Sequence, residues 1–297
     1  MPAYEQSGRV FLEHDKGASV EVLLYGATVI SWKAGGKSSS APTERLFVSS
    51  KAALDGSKPV RGGIPVVFPC FGPPSHPQHL KLPQHGFARS EVWKFDKVLS
   101  DNEEVSVQLN LEPNASITAK YDKPFRLAYI VKLSDSQLTT ELHVTNTSET
   151  ESLEFQALFH NYIRGPSNDV LIFPLQNVQY YDKTVLSEEE KNTPKTETRN
   201  GVDVRSYTDA VYEDAPQKYE VKWPKTGLEL KVSALKDLVV WNPQKEAGSK
   251  IADMEDGGWE RYVCVEPGFV RGFATANPGC TWIGQQVLTV IDVSSSL

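Results

Sequence analysis

The sequence predicts an all-β protein, a large antiparallel β-sandwich. Three observations carry that prediction. Apolar and polar residues alternate at period two along most of the chain, which marks strands with one dry and one wet face. Turn-forming residues separate these runs at the spacing expected of a sandwich or barrel. No stretch carries the repeat of a long amphipathic helix.

The alternation can be followed in order. Val20, Val22 and Leu24 alternate with Ser19, Glu21 and Leu23. Val105, Val107, Leu109 and Leu111 alternate with Glu104, Ser106, Gln108 and Asn110. Leu138, Leu142 and Val144 share a parity against Thr139, Glu141, His143 and Thr145. Tyr219, Val221 and Trp223 repeat the pattern, and Leu228, Leu230 and Val232 repeat it again. Asp55-Gly56, Asn200-Gly201 and Asn277-Pro278-Gly279 are the clearest turns, with Asn146-Thr147-Ser148 weaker, because Gly and Asn tolerate positive φ. Residues 49–54 and 252–257 are each expected to form a short turn of helix.

A length of 297 residues suggests about two domains, but large sandwiches exceed that rule, and the pattern reads as one unit over 1–297. Residues 187–201 are charged and lack large apolar side chains, so they read as a solvated loop inserted within that unit. The net charge of −7 excludes a general nucleic-acid binder, which needs a basic face. An anionic ligand would require cations placed locally. Three cysteines, Cys70, Cys264 and Cys280, stand far apart with no CxxC, so neither a disulfide framework nor a thiolate metal site is indicated. The first residues lack a secretory pattern and no apolar run approaches a membrane span, which makes a reducing cytoplasm the simplest compartment.

Residues 58–89 concentrate candidate chemistry. Arg61 and Arg89 stand near the two ends, with Gly62-Gly63, an apolar run, a Pro-rich loop and Gln84-His85-Gly86 between them. Glycines allow a ligand close to the backbone, so the stretch reads as a pocket mouth for a polar, anionic ligand or as a strand with a solvated loop. In 153–163, His160 shares its parity with Gln156, Leu158 and Tyr162, away from the more apolar face of Phe155, Ala157 and Phe159. An imidazole there suits a general acid in a pocket or a structural hydrogen-bonding role. Glu266 ends an apolar run and is pinned by Pro267-Gly268. Lost hydration should raise its pKa and make it a stronger base, unless a nearby cation pairs with it. Asp209 could bind a polyol or cap a turn, and Trp241 could face a sugar or fill the core. His76, His79 and His85 fit no standard zinc spacing, and the first two sit in what reads as an exposed loop. Walker A, GxGxxG and GxSxG motifs are missing from the sequence.

The order of these segments is more specific than any one of them. Lys58-Pro59-Val60-Arg61-Gly62-Gly63-Ile64-Pro65, Gln84-His85-Gly86-Phe87-Ala88-Arg89, Phe159-His160-Asn161-Tyr162, Thr208-Asp209-Ala210-Val211-Tyr212, Val240-Trp241-Asn242-Pro243 and Val265-Glu266-Pro267-Gly268 together resemble the glucose-6-phosphate 1-epimerases, or hexose-6-phosphate mutarotases, of the aldose 1-epimerase superfamily. Tyr25-Gly26-Ala27-Thr28 extends the likeness, which covers nearly the whole chain. The resemblance implies a galactose mutarotase-like β-sandwich with its site in the concave face of one sheet and no metal or organic cofactor. It implies His160 as general acid and Glu266 as general base. Arg61, Gln84, His85, Arg89 and Asp209 would bind a small-molecule sugar phosphate, in a protein that is a monomer by default and has no membrane or nucleic-acid partner. The 187–201 loop, His76 and His79 match nothing in it. Two other readings are a free-sugar aldose 1-epimerase, which would not need two arginines, and a non-catalytic carbohydrate-binding module, which needs no acid–base pair.

Overall fold

The computed structural model describes residues 2–36 and 41–293. In chain order the first strands are Ala3–Gln6 (β1), Arg9–Glu13 (β2), Ser19–Leu23 (β3), Thr28–Ala34 (β4), Thr43–Glu44 (β5) and Val66–Val67 (β6). Lys94–Asp101 (β7), Val105–Leu111 (β8), Phe125–Leu133 (β9), Gln137–Asn146 (β10), Leu153–Phe159 (β11), Tyr162–Arg164 (β12) and Leu171–Phe173 (β13) follow. The last are Gln179–Asp182 (β14), Lys195–Thr196 (β15), Thr208–Tyr212 (β16), Lys218–Trp223 (β17), Thr226–Ser233 (β18), Asp237–Asn242 (β19), Tyr262–Ala276 (β20) and Thr281–Asp292 (β21).

These strands make three antiparallel sheets. β1 to β5 form a five-stranded sheet in sequence order. The back sheet runs β13-β17-β18-β21-β10-β9-β8-β7, and the site sheet runs β15-β14-β16-β19-β20-β11-β6, with β12 also paired to β20. The period-two runs explain why the layers stack. The dry parities of β8, β9, β10 and β18 on the back sheet meet Phe155, Phe159, Leu238, Val240, Val263 and Val265 from the site sheet in one buried cluster. Among the described residues, no helix is long and apolar enough to cross a membrane.

Several expectations hold at the level of single turns. The Asn277-Pro278-Gly279 turn closes the β20–β21 hairpin, with Gly279 at φ 69° and the Cys280 N–H donating to the Asn277 carbonyl at 2.9 Å. Others need correcting. Residues 49–54 and 252–257 form hydrogen-bonded turns and no helix, and a 3₁₀ turn starts only at Gly258–Arg261. The Gly62-Gly63 pair approaches the protein itself and not a ligand. A Cβ at Gly62 would overlap the Phe47 carbonyl, and one at Gly63 would overlap the Val29 carbonyl, so the pair lets the Arg61 segment lie directly against Phe47-Val48 and β4. His79 is buried, not exposed: its ring packs against His76, Tyr121 and Phe273, and both ring nitrogens lack a hydrogen-bond partner. Burial, then His76, pull its pKa down to about 4, so it serves as an aromatic wall residue.

Candidate active site

Sheet register assembles the site. Leu158 on β11 pairs with Gly268 on β20, and Tyr162 on β12 pairs with Cys264 on β20. His160 lies midway between Leu158 and Tyr162, so it falls opposite Glu266, midway between Gly268 and Cys264. Its backbone N–H is held by the Pro65 carbonyl at 3.0 Å. The same face continues through neighbouring strands, because Val239 pairs with Glu266 and Val211 with Val239, while Asp209 pairs with Trp241 and Trp241 with Cys264. Two adjacent rows of side chains therefore cross one face of the sheet. Asp209 and Trp241 stand in one, Glu266 and His160 in the other.

These residues line one cavity of about 790 Å³ together with Arg61, Gln84, His85, Arg89, Gln156, Phe71, Lys183 and Arg271. All seven residues that the sequence nominated for the site are brought together there. His160 Nδ1 lies 3.4 Å from Glu266 Oε1. That contact forms no hydrogen bond, and His160 Nδ1 and Glu266 Oε2 are both buried without a partner. Glu266 is 1% exposed, and only 11% of the His160 side chain reaches the cavity. The His160 ring stacks on Tyr162 at 4.7 Å and meets Trp241 edge-on at 6.1 Å.

The electrostatics follow from that burial. Loss of water, then the nearby Asp209, push the Glu266 carboxyl well above the usual range, with Arg89 pulling the other way. Loss of water, then His85, Arg89 and Arg61, hold the His160 imidazole well below its ordinary value. Asp209 is raised to about 6, chiefly by desolvation. His85, at φ 66°, accepts the Gly72 N–H on Nδ1 at 3.2 Å, and burial and Arg89 depress its pKa to about 3. Its Nε2 lies 3.4 Å from the Gln84 side-chain amide nitrogen, so the two side chains face the cavity as a linked pair.

The two arginines are held differently. Arg61 Nε pairs with Asp253 Oδ1 at 3.0 Å and Nη1 donates to the Tyr162 hydroxyl at 3.1 Å, and those two partners keep its pKa above the ordinary value. Arg89 has one bond, from Nη2 to the Gln84 carbonyl at 2.9 Å, and burial lowers its pKa. Arg89 is therefore the guanidinium with more unspent donors. His160, Cys264 and Glu266 bring three donor atoms within 4.8 Å of one another, close enough for one cation. Burial holds the Cys264 thiol well above its ordinary pKa, however, and a protonated thiol is a poor ligand.

Sequence reading missed two kinds of residue. Gln156 and Asn161 are buried braces. Gln156 spans the register shift between β11 and β20, donating to the carbonyls of Val270 at 2.7 Å and Gly272 at 3.1 Å while accepting the Phe71 N–H. Asn161 donates to the Val265 carbonyl at 2.9 Å and to Gln286 Oε1 at 2.7 Å, and Gln286 returns a bond to Asn161 Oδ1 at 2.9 Å. The second kind is cationic. The 187–201 segment is not a plain solvated loop: it opens with a short helix, Glu188–Lys191, and Glu188, Lys191 and Asn192 line the cavity beside Lys183.

The two large sheets pack as a sandwich of the galactose mutarotase-like kind, and one of them holds the cavity with its imidazole and carboxyl side by side. Solved structures share the architecture. A provisionally named mutarotase of Salmonella typhimurium superposes with a TM-score of 0.83 at 20% identity, covering 98% of this chain and 93% of that one. The galactose 1-epimerase of Lactobacillus acidophilus gives 0.73 at 17% identity, with 98% of each chain covered. The aldose 1-epimerase family model matches residues 8–289, and the chain belongs to that family. Among curated relatives, a Cenchrus ciliaris protein provisionally named glucose-6-phosphate 1-epimerase is 30% identical over 96% of this chain and 85% of its own length. An Escherichia coli protein of the same provisional name is 26% identical over 83% of this chain and 78% of its own. Membership carries the coarse chemistry, interconversion of the anomers of a sugar.

Proposed function

We propose that the protein interconverts the α and β anomers of hexose 6-phosphates, chiefly glucose 6-phosphate, without a cofactor. The observation that carries this is the unbonded contact of His160 with Glu266 inside a cavity that also holds Arg61 and Arg89. A hemiacetal opens when its anomeric hydroxyl loses a proton and its ring oxygen gains one. Glu266 takes the first proton and His160 gives the second. The aldehyde then turns about the C1–C2 bond, and the ring closes on its other face with the roles reversed.

Protonation supports these roles. The ligand-free cavity favours neutral imidazole and protonated carboxyl, which together hold one proton. The working pair, imidazolium and carboxylate, also holds one. A bound phosphate offsets the charges of Arg89 and Arg61, which otherwise disfavour imidazolium, and so shifts the shared proton toward His160. Arginine forks suit phosphate because they give paired, charge-assisted hydrogen bonds. Asp209 and the linked Gln84 and His85 side chains remain to hold sugar hydroxyls.

NMR exchange spectroscopy on glucose 6-phosphate and on free glucose tests the proposal. The native protein should accelerate exchange of the phosphate ester far more than of the free sugar. In Arg89→Met the KM for glucose 6-phosphate should rise about tenfold or more, the worth of one charge-assisted contact, with a much smaller effect on glucose. Equal losses on both sugars would remove the phosphate role.

A further inference from the structure

We propose that the cavity has a second anion subsite, built from Lys183, Lys191 and Arg271 at the end away from Arg61 and Arg89, and that it takes a second phosphoryl group carried by the sugar. The proposal rests on the anomer-exchange reading above and extends its substrate class to doubly phosphorylated hexoses.

Sheet order gives the separation. Lys183 follows β14, three strand steps or about 14 Å at ~4.8 Å per step from β20, and Arg61 lies beyond β20, bonded to Tyr162 of β12. Lysine side chains shorten that span toward the reach of one hexose bearing groups at both ends. Arg271 enters from β20 itself. It is an odd number of residues from Glu266, so a regular strand would turn it to the opposite face. The shift in β11–β20 register, where Phe155 pairs with Ala274 but Ala157 with Phe269, places extra β20 residues at this point and brings Arg271 to the cavity. The freed N–H groups of Val270 and Arg271 are taken by the buried Asp237 carboxylate at 2.8 and 2.7 Å.

The three cations are poised and underused. The Arg271 guanidinium lies 3.7 Å over the Tyr181 ring, its Nε is buried without a hydrogen-bond partner, and its nearest acid, Glu213, stands at 3.8 Å. Lys183 Nζ lies 5.6 Å from the same ring and gives one of its three N–H groups to the Lys191 carbonyl at 2.9 Å. Lys191 pairs with Glu188 at 2.6 Å, a carboxylate whose side chain is 80% exposed and therefore weakly held. Burial and Arg271 both lower the pKa of Lys183, the mark of like charges crowded out of water, although Asp209 and Glu188 oppose this.

Charge balance points the same way. In a chain of net charge −7, the cavity gathers Arg61, Arg89, Lys183, Lys191 and Arg271 against Glu188, Asp209 and Glu266. Two of those three acids are pushed toward their neutral forms. At about 790 Å³ the cavity is also in the upper part of the range for ligand pockets, roughly 300–1,000 Å³, which leaves room beyond one ring with one phosphate.

The test compares glucose 6-phosphate with fructose 1,6-bisphosphate, whose anomeric hydroxyl is free, by NMR exchange on the native protein, Lys183→Met and Lys191→Met. The ratio of the KM for the bisphosphate to that for the monophosphate should rise about tenfold in the lysine variants. An unchanged ratio overturns the subsite, whether both KM values rise together or neither moves. Lys191→Met alters a half-exposed side chain on a rim helix and keeps the test open if Lys183→Met misfolds. Inorganic phosphate separates the two sources of the anion. Competition with the bisphosphate alone supports a sugar-borne group, whereas phosphate bound together with glucose 6-phosphate and lost in Lys183→Met means a separate anion and overturns that part. Should native protein exchange no sugar phosphate, the function above fails. The subsite then stands or falls on whether ³¹P titration shows bisphosphate affinity weakened by Lys183→Met.

Discussion

Two of the molecule's carboxylate–imidazole contacts, Glu141 with His143 on the back sheet and Glu266 with His160 on the site sheet, behave in opposite ways. On the back sheet, Glu141 and His143 stand two residues apart on β10 and meet at 3.0 Å. On the site sheet, Glu266 and His160 meet across strands at 3.4 Å. Burial pushes the Glu141 carboxyl up, but hydrogen bonds from Lys132, His143 and Gln285 overcome it and leave the pKa lowered. Glu266 has no such donors and is raised. The residue types and nearly the distance are the same, so the difference lies in what surrounds them. The outer face of β10 offers a lysine, an imidazole and an amide. The outer face of β20 is walled by the Arg61 segment, the Pro-rich loop and the Glu188–Lys191 helix, which exclude water without satisfying the carboxyl.

The largest expected effect breaks this comparison at the carboxylates. Glu266→Gln keeps the shape and removes the base, so anomer exchange on glucose 6-phosphate should fall by ~10²–10⁴. Glu141→Gln makes the same chemical change on the other sheet and should leave exchange within about twofold, the range of a distant surface substitution. Exchange spectroscopy on both variants reads this directly. Retained exchange in Glu266→Gln would remove the proposed base, and a large loss in Glu141→Gln would show that the two contacts are not functionally distinct.

Strand parity was legible in the sequence because alternation is a local property, and it correctly put His160 on the face away from Phe155 and Phe159. Register was not, because it depends on partners far along the chain. Nothing local to Phe159-His160-Asn161 says that residue 160 will stand opposite residue 266. The cationic rim was misread for another reason. Lysines that line a cavity have the same composition signature as lysines that face water, so 187–201 looked like solvent-facing loop. His79 shows the converse: prolines around it suggested exposure, and only its packing against Tyr121 and Phe273 reveals burial.

A second experiment sharpens the comparison at two adjacent glutamines of β21 that face opposite sides of the back sheet. Gln285 faces outward to Glu141 at 2.9 Å, while Gln286 faces inward to Asn161 and to Thr140 at 3.1 Å. Asn161 is flanked by His160 and also holds the Val265 carbonyl, next to Glu266, so this buried amide pair positions both sides of the proposed site. Asn161→Leu leaves Gln286 Oε1 without its donor and should cost about 1–3 kcal/mol of stability. It should also lower kcat by up to ~10², since small misplacements are that costly, with KM nearly unchanged. Adding Gln286→Leu removes the orphaned partner and should restore much of the stability without restoring kcat. Gln285→Ala should leave kcat alone. Recovery of kcat with stability in the double variant would reduce Asn161 to a packing residue.

The smallest effect is a matter of sign. The folded pKa of Glu266 is raised above the ordinary 4.5, so its contribution to stability is present below pH 4.5 and is lost as pH rises through the folded value. At pH 8 the folded protein must either ionise a buried carboxyl or hold its proton unfavourably. Glu266→Gln removes that cost and should raise Tm at pH 8 by about 2 °C or more. Glu141 has the opposite linkage: its folded pKa is lowered, so its contribution is present above 4.5 and is lost as pH falls. Glu141→Gln should therefore lower Tm at pH 8, and the deficit should shrink on acidification to pH 4. Calorimetric scans of the two variants at both pH values measure the signs independently of any substrate. A lowered Tm for Glu266→Gln at pH 8 would mean that the site-sheet carboxylate is as well satisfied as its counterpart on the back sheet, and the physical basis for its role as a base would be gone.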